Sequence, residues 1–161
     1  MDDLIKRRAE FLLNEARFNA KRDQVITFTM RVLSNHATVG FDGSSFAIKQ
    51  KNPRISHQAL SRLNEVEVFT DWSKDTINEH PIPLKSCWEW LLLEAKSLKV
   101  EDIWDHFSKY PMTTILKEED KKLSAHGLRS SGGNSRYSAV GIEIVELDIS
   151  PAEHFKIRMN T

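Results

Sequence analysis

Apolar residues recur along this chain at two different periods. Over residues 2–22, Ile5, Ala9, Leu12, Ala16 and Ala20 fall at helical spacing, and Leu4, Phe11 and Phe18 form a second, adjacent stripe. The combined face is wider than a helix lying on one surface shows. The helix is therefore expected to wedge between two layers or to join a subunit contact, the route by which a homodimer would form. Asp2 and Asp3 suit the positive end of its dipole. In "VITFTMRVL" (25–33), Ile26, Phe28, Met30 and Val32 alternate with polar residues. The β-branched and aromatic content favours a strand, although Val25, Phe28, Val32 and Leu33 also fit a helix. "ATVGFDGSSFAIKQ" (37–50) reads as a hairpin turning in "FDGSSF".

Beyond the hairpin, "NPR" (52–54) breaks the second strand, and Ser56 is placed to cap a short helix from His57 to Asn64. "VEVF" (66–69) suggests a brief strand, and residues 71–83 a polar connection. Pro83 suits a first helical position, opening a helix that runs through Lys96 with Leu84, Trp88, Leu91, Leu92 and Ala95 inward. "VEDIWDHFSKY" (100–110) predicts another helix, "MTTIL" (112–116) a strand, and "KEEDKKLSAHG" a charged helix closed by Gly127. "RSSGGNS" (129–135) is a low-complexity patch expected to be a mobile surface loop. "RYSAVG" suits one helical turn. "IEIVELDI" (142–149) alternates as a strand, and "HFKIRM" (154–159) alternates beside it.

The expected fold is α+β: a small, mostly antiparallel sheet, from the hairpin 37–50 and strands near 112–116 and 142–149, packed with four to five helices. The 161 residues fit a single globular domain, 1–161. Lys+Arg and Asp+Glu each total 23, which argues against a bulk nucleic-acid coat or a bulk DNA mimic and leaves direct nucleic-acid binding open. The charge is uneven: residues 1–60 carry ten basic against six acidic side chains, a net of +4. Arg7, Arg8 and Arg22 mark a basic N-terminal face able to meet an acidic partner. Cys87 is the single cysteine, so no intrachain disulfide forms, and its apolar setting suits core packing. With no signal-peptide pattern and no apolar run of about 18 residues, a cytoplasmic protein without a membrane span is expected.

Two constellations could carry chemistry. "INEHPIPL" (77–84) sets Glu79 and His80 against two prolines and a helix start. An acid before histidine and proline resembles the opening of HNH nucleases, in which histidine is the general base beside a metal. Here the next Asn and His candidates, Asn134 and His154, are far off. The tripeptides "HAT" (His36, Thr38) and "HFS" (His106, Ser108) resemble those of two-histidine phosphoesterases, where two imidazoles exchange protons and two hydroxyls hold phosphate. Helical periodicity around His106, however, sends Ser108 to another side. H-E-x-x-H, a Walker loop and G-x-G-x-x-G are all absent, so no metal and no cofactor is called for. Among the tryptophans, Trp72 lies in the polar connection and is the expected contact residue.

The set "EHPIPL" (79–84), "VEDIWDHFSKYPM", "ILKEED" (115–120), "HGLRSS" (126–131) and "RYSAVGIEIV" (136–145) resembles a family of small bacteriophage and mobile-element proteins. It covers about residues 75–148. The resemblance implies a phage- or plasmid-like origin and, with it, a non-catalytic binding protein. Such a protein would inhibit a bacterial defence complex, CRISPR-type or similar, by protein–protein contact in the host cytoplasm. Its contact residues would be Arg7, Arg8, Arg22, Trp72, Glu79 and His80. The alternative is a phosphodiester-cleaving enzyme at Glu79/His80 or at the His36/His106 pair.

Overall fold

A computed structural model describes residues 1–127 and 132–161. The expectation of a mobile loop at 129–135 lies in part outside the described residues.

Asp2 caps the first helix, α1 (Asp3–Arg17), its carboxylate accepting the Ile5 N–H at 2.9 Å. The next segment is a correction to the strand reading of 25–33. Asp23 accepts the Ile26 N–H at 2.8 Å and opens α2 (Gln24–Val39). Gly40 closes it in the left-handed conformation, φ 84°, its N–H bonded to the His36 carbonyl. Ile26, Met30 and Leu33 are buried along one helical stripe, while Phe28, inward in the strand reading, is 53% exposed. The cap residues at both ends outweigh the local β-propensity. The hairpin 37–50 is overturned for the same reason. Gly40 ends a helix rather than making a turn, and Ser44 accepts the Ala47 N–H to cap α3 (Ser45–Lys51).

Strand β1 (Arg54–Ser56) leads into α4 (His57–Glu65), where Ser56 Oγ accepts the Ala59 N–H at 3.0 Å. "VEVF" is no strand: Val66 ends α4, and Phe69 begins α5 (Phe69–Asp75). β2 (Thr76–Glu79) follows, and then α6 (Leu84–Glu94) with Pro83 at its N-cap. Next come α7 (Val100–Lys109), β3 (Thr113–Leu116) and α8 (Lys117–Ala125). α9 (Ser135–Ala139) and β4 (Ile144–Glu146) leave only the middle of "IEIVELDI" in the sheet. "HFKIRM" is helical, not extended, within α10 (Pro151–Met159). Ser150 caps it by accepting the Glu153 N–H, and Pro151 holds the first-turn φ.

The fold is α+β, with more helices among the described residues than the four to five expected. Its sheet runs β2-β3-β1-β4, with β1 parallel to β3 and the other pairs antiparallel. Neighbouring side chains along a strand point to opposite faces, and each face supports its own core. Leu116 and Val145 turn toward Ile55, Ala59, Leu63 and Trp72. Ile115 and Ile144 turn toward Leu123, Tyr137 and Ile142. A third core lies between α1, α2, α6 and α7, where Leu12, Met30, Leu33, Leu91 and Ile103 are fully buried. No helix among the described residues is long and apolar enough to cross a membrane.

Candidate functional site

Two segments far apart in sequence meet at the end of β2. The Arg136 guanidinium forms an ion pair with the Glu79 carboxylate and donates to the His80 carbonyl at 3.2 Å. The Tyr137 hydroxyl donates to the other Glu79 oxygen. The Gly133 N–H donates to the Pro81 carbonyl at 2.9 Å. Gly132 sits so close to Ile82 that an added Cβ would lie 2.8 Å from its Cδ1. The stretch from Glu79 to Ile82 is therefore a dock for residues 132–137. Glu79, Arg136 and Tyr137 are all buried. Burial pushes the Arg136 pKa down and the Tyr137 hydroxyl up, the latter opposed by the Arg136 charge. A buried charge pair needs both partners and further hydrogen bonds, and here the Tyr137 hydroxyl and the His80 carbonyl provide them.

His80 is half-buried, its Nδ1 3.2 Å from Ser34 Oγ. Burial, then the nearby Arg31 charge, depresses its pKa to about 4. His106 stacks on Trp90, ring centroids 4.4 Å apart, and burial followed by Lys109 likewise lowers it to about 4. Both folded-state values lie below the ordinary 6.5. Between pH 6.5 and 4 the unfolded chain thus binds protons that the folded chain does not. The contribution of these two groups to stability is full above pH 6.5, falls as pH drops toward 4, and levels off below it. Urea midpoints across that range should show this slope for the native protein and a shallower one for His80→Asn/His106→Asn.

The other candidates are dispersed. Thr38 Oγ donates to the Ser34 carbonyl at 2.7 Å and accepts the Met112 N–H at 3.0 Å, so its hydroxyl serves the backbone. His36 and Thr38 lie on α2; His106 lines a separate cleft with Trp90 and Tyr110, and Ser108 is exposed. Among the described residues, no group of three or more His, Cys, Asp or Glu is placed to hold a metal ion. Cys87 is buried and its thiol is pushed up to about 12, which suits packing.

Two expected contact residues are corrected. Trp72 is fully buried, its indole N–H donating to the Ala59 carbonyl at 2.8 Å. It belongs to a core and cannot meet a partner. Glu79 is likewise spent on Arg136 and Tyr137. Arg7 and Arg22 are exposed, and the Arg8 guanidinium lies 6.0 Å over the Phe28 ring. Along α1, α2 and the turn between them, Leu4, Phe18, Val25 and Phe28 are 45%, 85%, 58% and 53% exposed. The arginines were legible from charge. Phe18 falls on the wide face for which a subunit contact is one expectation, whereas the strand reading of 25–33 turns Phe28 inward and hides its exposure.

No family model matches the chain, and no solved structure does either. Over 104 residues it is 27% identical to cohesin subunit SA-1 of Xenopus laevis, a stretch covering 65% of this chain. It spans only 8% of that protein's length, and the similarity assigns no family.

Proposed function

We propose that the chain is a non-catalytic binding protein of the phage or mobile-element type, acting on a bacterial defence complex by protein–protein contact through the α1–α2 face. The observation that carries this is the exposure of Val25 and Phe28 on α2, with the Arg8 guanidinium over the Phe28 ring, and of Arg7, Phe18 and Arg22 on α1 and the turn that follows it. Large apolar side chains grouped on a surface mark contact sites. Arginine and aromatic anchors are the residue types that dominate such contacts, and the arginines favour an acidic partner by steering its approach. The Glu79–His80 junction supports the same reading, because Glu79 is consumed inside the fold by Arg136 and Tyr137 and is not free to act beside His80.

The test compares native protein with Phe28→Asp/Arg8→Glu and with His80→Ala as baits in bacterial lysate, followed by titration of the captured partner. The face variant should weaken binding more than tenfold, since an interface anchor carries about 2 kcal/mol or more; His80→Ala should bind normally. Equal binding by the face variant rejects this surface. A native dimer that the face variant turns into monomers would make the face a contact between copies. Cleavage of nucleic acids or cyclic nucleotides with Mg²⁺ or Mn²⁺ that vanishes in His36→Ala, His80→Ala or His106→Ala would replace the proposal with an enzyme.

A further inference from the structure

On the far side of His80 from the Pro83 helix start, α2, the loop after it, β2 and α3 enclose a cleft of about 400 Å³. That volume is in the range of small-molecule sites. Arg31, Asn35, Ser45, Asn78 and His80 supply its polar lining. Arg31 and Ser45 are exposed, whereas the apolar lining residues Ile48 and Met112 are buried, so the cleft has an open rim and a closed base. Among the described residues the Arg31 guanidinium makes no hydrogen bond or ion pair, which leaves its five donors available. By contrast, the lining acceptors and amides are mostly committed. Asn35 donates to Asp42 at 2.8 Å, and Asn78 donates to Ser45 and accepts from Thr114.

The state of His80 follows from its neighbour. The Ser34 hydroxyl stands against Nδ1 as its partner. With that hydroxyl donating, the neutral ring carries its proton on Nε2, which has no protein partner among the described residues. On protonation the hydroxyl can turn and accept instead. The charged groups facing His80 are Arg31 from α2, Arg136 from α9, and Asp120 of α8 in the groove on its other side. Glu79 is already neutralised by Arg136. Burial, and after it the Arg31 charge, favours the neutral imidazole. A bound anion would offset the Arg31 charge and favour the imidazolium against the cost of burial.

We infer that this cleft binds a small phosphate-bearing ligand, with the Arg31 fork gripping the phosphate oxygens and His80 donating from Nε2. A planar guanidinium matches phosphate in a bidentate geometry, and the buried apolar base suits the remainder of a mononucleotide-sized molecule. Arg31 stands on α2 one turn from Phe28, so the cleft adjoins the α1–α2 face, but the phosphate site uses none of Phe18, Phe28, Arg7 or Arg8 and does not depend on that face.

The experiment follows the His80 ring signals by NMR at pH 7 in the full chain during titration with inorganic phosphate, a 5′-mononucleotide, and the same nucleoside without phosphate. Phosphate and the nucleotide should saturate the shift and raise the His80 pKa above about 4; the nucleoside should do neither. Arg31→Gln should weaken phosphate binding about tenfold or more, the effect of losing hydrogen bonds to a charged group. Ser45→Asp, at the exposed rim, should also weaken it, by repulsion. Lys96→Glu, exposed just after α6 and outside both surfaces, should leave it unchanged. Absence of saturation by about 10 mM phosphate, native-like binding by both cleft variants, or equal binding of the bare nucleoside overturns the inference.

Discussion

Arg136→Met is expected to lower the unfolding free energy by about 3–5 kcal/mol, the usual consequence of removing one member of a buried ion pair. The reason is what the change leaves behind. Glu79 keeps its carboxylate in the interior with only the Tyr137 hydroxyl for company, and the His80 carbonyl loses its donor. Against a total stability of about 5–15 kcal/mol for a domain of this kind, such a loss approaches unfolding. Glu79→Gln/Arg136→Met should cost less than the sum of its two single changes, because the double variant strands no charge. Urea denaturation of the four proteins gives the coupling directly. A loss from Arg136→Met no larger than that from Lys85→Met, on the exposed side of α6, would show that residues 132–137 do not dock on the Glu79–Ile82 segment.

This junction also shows where sequence reasoning stops. "EHPIPL" and "RYSAVG" each stood out, but nothing in their spacing says that Glu79 meets side chains 57 and 58 positions later. Hydrophobic period reports local faces, not which loops touch. What was legible had a cap and a period that agreed. Ser56 opens α4, Gly127 follows α8 at φ 69°, and "VEDIWDHF" buries Ile103 and Phe107 as a helix should. The short strand Thr113–Leu116 falls within "MTTIL", just after the Pro111 break, and three of its four residues are buried. The errors share a cause. "ITFTMRV" and "HFKIRM" alternate by composition, and alternation over about six residues also fits a helix whose exposed face carries apolar groups. At α2 those groups are Val25 and Phe28; at α10 they are Ile157 and Met159. Helix-capping residues, Asp23 before α2 and Ser150–Pro151 before α10, were present in both cases. Weighting them above alternation would have recovered both helices. For the candidate surface, the same misreading turned the exposed Phe28 inward.

Trp72 reverses the expectation drawn from its polar neighbours, and it carries the second large effect. In "FTDWSKD" it is flanked by charge, but α5 is only seven residues long, too short for an apolar stripe to declare itself. Phe69, three residues before it, packs at 5.3 Å, and Ala59 accepts its N–H. Trp72→Ala should therefore cost about 3–5 kcal/mol, the range for emptying a buried aromatic site, and match Trp88→Ala. The two tryptophans should separate on a gentler change. Trp72→Phe leaves the Ala59 carbonyl without its donor inside the core, whereas the Trp88 indole N–H is buried with no partner among the described residues. Phenylalanine at 88 removes an unsatisfied donor; at 72 it creates an unsatisfied acceptor. Trp72→Phe is expected to be the more destabilising by about 1–2 kcal/mol, read as a shift in urea midpoint at constant m-value. If Trp72→Ala unfolded within about 1 kcal/mol of native protein, the residue would be at the surface after all, and Trp72 would return to the list of partner contacts.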